Sequence, residues 1–485
     1  MQPKVELLPN ELVQRILDEA YLLLMNPGIK VQSPEARLLL AEAGAQVDVA
    51  SEVARIPRQV VEKALESVPR HFNLYDRDGN PCVDYGGDAV QFDPGSSGVH
   101  IFDPDTLEHK PSKSVDLVRL VKVAEMLPQY EAQSTAVVCN DIPKAIGDLY
   151  RLYLVLLYSK KPVVTGAFSV KTLQAMIDMM AIFAGGRIEL EEKPQAVFDV
   201  CPSPPLIWSD FGAQNLIELG RAFVPAQIVS MPLSGAAAPV TLVGSVVQHA
   251  AECLSGITIH QLARQGAPVI WGGAPAIFDM RKGTTPMGAI ETAMIDAAYA
   301  QVGKSLGLPT HAYLGASDAK LVDAQAGLES GMTALIGALA GINMISGAGM
   351  LDFLACQSPE KLVVDAEAIA MVQRFLQGIH LHTETLALAM FDGFNFKGEF
   401  LKQRFTRELF AKEQYIPSKV IDRDSIRGWQ QEGGMDTFAR AKARVKTLLQ
   451  EYQPPSLPHE QVGELRDMVQ ALARGAGMDG LPSLE

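Results

Sequence analysis

The sequence predicts an α/β fold of repeated strand–helix units, a (β/α)8 barrel, and three observations predict it. From about residue 114 onward, short apolar runs alternate with helical stretches at intervals of roughly 30–40 residues, the span of one βα repeat. Each run is apolar throughout and bounded by Gly or Pro, as a strand buried on both faces should be. No strand leads into GxGxxG, which weighs against the competing open, doubly wound sheet.

The segment before residue 114 follows a different rhythm. Asn10 precedes the apolar-periodic run ELVQRILDEAYLLLM and reads as its N-cap. Ser33 caps a second helix that has Pro34 at its first position. Ile56-Pro57 leads into a third, RQVVEKALESV. The period then drops to two. FNLYD, a turn at Asp78–Asn80, AVQFDP and VHIFDP read as short antiparallel strands. Residues 1–113 are therefore expected to form an N-terminal helical and β-hairpin cap.

The barrel is expected over residues 114–396. Its strands are EAQSTAV (131–137), PVVTG (162–166), AVFDV (196–200), AQIVSMP (226–232), PVIWGGA (268–274), HAYLGAS (311–317) and NMISGAG (343–349), with KLVVD (361–365) as the eighth. Helices fill the intervals 148–159, 171–184, 211–223, 240–264, 289–306 and 323–339. The tail, residues 397–485, is charged and helical. It reads as two surface helices with a Pro-rich break, packed on the barrel or on another subunit.

The net charge of −14 opposes phosphate-backbone binding, which needs a surplus of Lys and Arg, and opposes an anionic membrane surface. No apolar run has the length of a membrane span, and the N-terminus lacks the apolar core of a signal peptide. Cys82, Cys139, Cys201, Cys253 and Cys356 are scattered and never form CxxC, a pattern of reduced cytosolic thiols. The expected location is the cytoplasm, with partners other than nucleic acid and membrane.

In such a fold, chemistry collects at the carboxyl ends of the strands. Here those ends are small and backbone-rich, as in Thr165-Gly166-Ala167, Trp271-Gly272-Gly273 and Ser346-Gly347-Ala348-Gly349. They predict a wide mouth. Aromatic residues stand close by. Trp271, Phe278, Tyr313 and Phe353 are candidates for a ring of faces that attracts a quaternary ammonium, each contact worth about 0.5–2 kcal/mol. His311, Arg281 and Lys282 are candidates to hold a carboxylate, although the last two read more readily as solvated loop charges. Ser317 is a further candidate for substrate binding, and Asp318 at its strand end is the candidate to orient substrate, or else to cap the next helix. Metal chemistry has little support. His380-Leu381-His382 with Glu384 is the one close His pair, and no HExxH, CxxC, GxSxG or Walker loop occurs.

Several segments carry a resemblance to a known family. They are Ser317-Asp318-Ala319-Lys320, Asp323-Ala324-Gln325-Ala326, Gly341 with Gly347-Ala348-Gly349, and Glu360-Lys361-Leu362-Val363-Val364-Asp365. Asp105-Thr106-Leu107-Glu108 and the C-terminal GGMDTFARAKARVKTLLQEYQPP join them, so the similarity covers nearly the whole chain. The sequence resembles the trimethylamine methyltransferase superfamily, which implies a TIM-barrel fold. It also implies methyl transfer from a methylated amine to the Co(I) of a separate corrinoid (cobalamin-carrying) protein. The type member carries pyrrolysine, whereas this chain has only standard residues. The resemblance is thus to the branch without pyrrolysine, whose implied substrates are quaternary amines. Glycine betaine, giving dimethylglycine, fits the reading best. Proline betaine, carnitine and γ-butyrobetaine stay open. The corrinoid would be carried by a cognate partner, with no tightly bound metal on this chain, and a homo-oligomer is expected. A barrel lyase or aldolase acting on a small carboxylate, with Lys320 as its Schiff-base candidate, is one alternative. A silent scaffold for the corrinoid protein is the other.

Overall fold

The computed structural model describes residues 2–382, 386–397 and 400–484. The fold is mixed α/β and is built on eight parallel strands, each followed by a helix. The strands are β1 (Gln91–Pro94), β2 (Gln133–Ser134), β3 (Val163–Gly166), β4 (Ala196–Val200), β5 (Ala226–Ser230), β6 (Val269–Gly273), β7 (His311–Ala312) and β8 (Met344–Ala348). The helices are α1 (Ser114–Glu125), α2 (Gly147–Tyr158), α3 (Val170–Ala184), α4 (Asp210–Ala222), α5 (Leu242–Ala263), α6 (Ile290–Ser305), α7 (Ala324–Leu339) and α8 (Pro359–Leu376).

Strands β6-β5-β4-β3-β2 form one parallel sheet and β7-β8-β1 another. Backbone bonds join the two sheets at both margins. Between β6 and β7, Trp271 N donates to Pro309 O at 2.9 Å and Tyr313 N to Gly273 O at 3.3 Å. Between β1 and β2, Glu131 N donates to Phe92 O and Gly98 N to Ala136 O, both at 3.0 Å.

Two elements depart from the sequence reading. KLVVD is not a strand; it lies inside α8, where Ser358 Oγ accepts from Lys361 N at 3.1 Å and Pro359 takes the first helical turn. A five-residue apolar run fits a buried helix as well as a strand, and the Ser-Pro start decides for helix. The remaining strand is Gln91–Pro94, inside the segment set aside as an antiparallel cap. It runs parallel to β8, and its four residues are all buried. Asn10 is also not a cap. It is the first helical residue, after Pro9, which makes no side-chain cap bond.

The hairpin His71–Tyr75/Pro81–Gly86 forms as its turn residues predict, with Asp76 Oδ1 accepting from the amides of Asp78 and Asn80 at 2.9 and 2.8 Å. Leu74, Val83 and Tyr85 of this hairpin pack against Ala132, Val164, Val197, Ile270 and Met344. These residues sit near the amino ends of the strands. Burying a side chain of this size contributes roughly 1.5–3 kcal/mol, so the hairpin is a firm plug. It leaves the carboxyl ends as the place where polar groups can face a pocket.

Among the described residues, one helix, α5, is long and apolar enough to cross a membrane, and it is mostly buried inside the fold. The tail forms the expected helices Thr437–Glu451 and His459–Gly475, which pack on α8 and α1 and on α3 and α2 respectively.

Candidate functional site

Alternate residues of the parallel strands turn polar side chains inward near the carboxyl ends. On one side, Ser346 of β8 donates to Asp93 of β1, and His311 Nε2 of β7 meets Ser346 Oγ at 3.0 Å. On the other, the Tyr313 hydroxyl donates to Asp199 Oδ2 at 3.1 Å and lies 2.8 Å from Ser96 Oγ. Gln227 of β5 donates to Asp199 Oδ1 at 2.6 Å. Asp93 Oδ2, His311 Nδ1 and Gln227 Oε1 keep no partner among the described residues. Orphaned buried polar atoms are costly in a finished core and mark a place where ligand or water is received.

Asp199 and Gly166, register partners on β4 and β3, are part-exposed although protein surrounds them, and Cys201 beyond β4 is exposed. Their exposure marks a recess at the strand ends. Its wall is apolar: Val229, Ala274, Ala276 and Met287 pack around Tyr313, with Leu233 and Leu354 against them. A Cβ added to Gly166 would find its nearest neighbour at 3.4 Å, so this glycine leaves room. At Gly272 a Cβ would meet Ile228 O at 2.8 Å and His311 Nδ1 at 2.9 Å. That glycine permits close packing of β6 against β5 and β7.

Burial sets the charges. It pushes the Asp199 carboxyl up to about 7, against the lowering effect of the Tyr313 and Gln227 hydrogen bonds. It pushes Asp93 well above the usual carboxylate range, with the Ser346 bond opposing. It lowers His311 to about 3, so the imidazole is neutral. His311 faces the strand-end cluster through Ser346, and it carries no charge with which to hold a carboxylate.

The expected aromatic ring does not assemble. Tyr313 alone of its four members joins the cluster. Trp271 points outward from β6: it is fully buried, its Nε1 donates to Tyr299 O at 3.0 Å, and it packs against Gly303 of α6. The reason is parity, because Gly272 occupies the inward position. Phe278 lies half-buried beyond the strand end, its amide donating to Ser234 O at 3.0 Å. Phe353 lies under the Lys320 ammonium, 3.7 Å from the ring centroid. Lys320 also pairs with Asp352 at 3.2 Å. Arg281 is exposed and pairs with Asp279 of its own loop. His382 pairs with Glu413, and Glu384 lies outside the described residues. No group of three metal-ligating side chains occurs among the described residues.

Ser317 and Asp318 act behind the wall. Ser317 Oγ and the Asp318 amide both donate to Glu329 Oε2, at 2.6 and 2.8 Å. Asp318 Oδ1 accepts from the amides of Met287 and Gly288, at 2.8 and 3.0 Å. Asp318 therefore fixes the β6–α6 loop and with it Met287. Asp318→Ala strands two buried amides and is expected to lower stability by about 1–3 kcal/mol, read as a fall in the urea midpoint. Asp318→Asn keeps an acceptor and should lose less than half of that.

Sequence reasoning passed over Asp93, Ser96, Asp199, Gln227 and Ser346. A signal existed: Asp199 is the one charge in AVFDV and stands next to the strand's carboxyl end, where buried charge needs a reason.

Polar groups gathered at the carboxyl ends of parallel strands define a parallel α/β enzyme. The sequence model of the trimethylamine methyltransferase (MTTB) family matches residues 1–477. A trimethylamine methyltransferase of Methanosarcina barkeri is 34% identical over 89% of this chain and 88% of its own. One from Desulfitobacterium hafniense is 31% identical over 91% and 89%. A glycine betaine methyltransferase of Desulfitobacterium hafniense is 29% identical over 98% of both chains. The crystal structure of the Methanosarcina barkeri monomethylamine methyltransferase superposes with a TM-score of 0.51 at 11% identity, covering 92% of this chain and 89% of that one, a likeness of fold. The chain belongs to the trimethylamine methyltransferase family and is a methyltransferase.

Proposed function

We propose that this enzyme takes a methyl group from a quaternary amine, glycine betaine being the best fit, and passes it to the Co(I) of a cognate corrinoid protein. The observation that carries this reading is Asp199, a part-exposed carboxylate held by Tyr313 and Gln227 at the base of an apolar-walled recess. A negative group beside an aromatic hydroxyl and aliphatic walls suits a methylated cation, which attracts charge and apolar surface but donates no hydrogen bond. The similarity to the glycine betaine methyltransferase over 98% of both chains supports the same substrate class.

When docked, the partner's corrinoid supplies the nucleophilic cobalt. Exposed apolar side chains on the strand-end loops, Phe168, Met231, Val240 and Met280, fit the face of such a macrocycle. The chain's own task is binding and alignment. As the N–CH3 bond breaks, its electrons stay on nitrogen and a neutral tertiary amine departs, so no side chain need give a proton. Holding the cation over Asp199 and excluding water is then the main contribution, and orientation of this kind reaches effective molarities of about 10^5–10^8 M.

On the same reading the eight strands close into a (β/α)8 barrel, with residues 397–485 as a packed helical extension. The enzyme works in the cytoplasm as a homo-oligomer; the exposed Leu386, Leu388 and Leu401 offer apolar surface for a second copy. The test is spectroscopic. Purified enzyme with the reduced corrinoid protein and glycine betaine should bleach the Co(I) band and release dimethylglycine. Turnover with another betaine alone would correct the substrate. No change with any quaternary amine, given active corrinoid, would sink the reading.

A further inference from the structure

A guanidinium is buried behind the strand ends, and the acid nearest to it along its helix is already engaged by other donors. Arg151, on α2, is 1% exposed. Its Nη1 donates to Ser97 Oγ and to Thr135 O, each at 3.2 Å, while Nε and Nη2 find no acceptor among the described residues. The acid one helical turn earlier, Asp148, is committed elsewhere. It accepts from the amides of Leu149 and Phe168 at 2.8 and 2.6 Å and from Thr172 Oγ1 at 2.6 Å. Nearby Cys139 stays a neutral thiol, because burial pushes it up to about 12. What covers the guanidinium is the Phe168 ring, 5.1 Å away and itself 54% exposed.

A buried cation with two donors unsatisfied is expensive, and removing it from water is offset best when an anion meets those donors with good geometry. The position of Arg151 says where that anion would lie. Ser97, which holds the guanidinium, follows Ser96, which holds Tyr313 and through it Asp199. The hydrogen bonds that hold the carboxylate and those that hold the guanidinium thus meet at two consecutive residues, Ser96 and Ser97. That pairing complements a zwitterion and is wasted on a simple amine.

We infer that Arg151 is the specificity-determining residue that grips the substrate's carboxylate, and that the Phe168 ring swings aside to admit it. Two N–H donors in a fixed fork match a carboxylate face. The inference rests on the quaternary-amine reading of the site.

The experiment measures binding of glycine betaine and of tetramethylammonium by calorimetry, in the wild type, Arg151→Met and Arg151→Lys, without corrinoid. The Met variant should lose roughly 10- to 100-fold in glycine betaine affinity, as expected for charge-assisted bonds. Its tetramethylammonium affinity should stay within about threefold. The Lys variant should recover part of the loss. Because Arg151 is buried, wild-type protein provides a second readout. Phenylglyoxal labelling of Arg151, mapped by peptide mass, should be blocked by glycine betaine, ignored by tetramethylammonium and hastened by Phe168→Ala. A Met variant that binds glycine betaine like the wild type, or labelling indifferent to it, overturns the anchor. So does a wild type that prefers tetramethylammonium. Demethylation of glycine betaine with an unchanged Met variant would sink the anchor and leave the reaction standing. Arg151-dependent binding of glycine betaine with no methyl transfer would sink the reaction and leave the anchor.

Discussion

Asp199→Asn is expected to raise KM for a quaternary amine about 30- to 1000-fold while kcat changes much less. Truncating one charge of a desolvated pair typically costs about 2–4 kcal/mol, and each 1.4 kcal/mol is tenfold. The carboxylate meets the cation before and during methyl departure, so the loss falls mainly on binding. Asn preserves the acceptor for Tyr313, which separates charge from packing. The pH dependence gives an independent check. Asp199 titrates near 7 in the folded enzyme because burial disfavours its charge. Below that pH the group is neutral and holds a cation poorly; above it the group is ionised and holds it well. Wild-type KM should therefore fall as the pH rises from about 6 to 8 and then level off. The Asn variant should show a flat profile over the same interval. An Asn variant with wild-type KM and wild-type pH dependence would remove Asp199 from the binding site.

Trp271→Ala carries the largest expected cost to stability, about 3–5 kcal/mol. The indole is fully buried between β6 and α6, its Nε1 bonded to Tyr299 O and its ring 5.5 Å from that of His249. Removing it opens a void in a core that relaxes only partly. Trp271→Phe should lose less, since most of the volume is kept. Both variants, where folded, should bind quaternary amine as the wild type does. Urea unfolding and ligand calorimetry on the same samples decide the matter. A stable Ala variant that had lost amine affinity would mean that Trp271 does face the substrate.

These two residues show where reading the chain stops. Trp271 and Asp199 both stand near the carboxyl ends of apolar strands, and both are plain in the sequence. Which one faces the recess depends on parity. A one-residue difference in register turns every side chain of a strand to the other face. In an alternating strand the pattern itself reveals the buried face. In a strand buried on both sides it does not, so an aromatic residue draws attention and an acid is passed over. The hydrogen bonds of β4 to β3 and β5 settle the parity of Asp199. Those of β6 to β5, with Gly272 inward, settle that of Trp271.

The sequence by itself determined the alternation of strands and helices from β2 to α7, because that order follows from apolar periodicity and from local punctuation by Gly, Pro and capping Ser. It determined the family as well, since matching segments run along nearly the whole chain. The tertiary structure decided the rest. Gln91–Pro94 became a parallel strand beside β8, and KLVVD became helix. Asp93, Asp199, Gln227, Tyr313 and Ser346 were drawn to one set of strand ends from positions spread over more than half of the chain. Each of these outcomes rests on contacts between residues distant in sequence, whose free energy outweighs local preference for short segments and is invisible until the neighbours are in place.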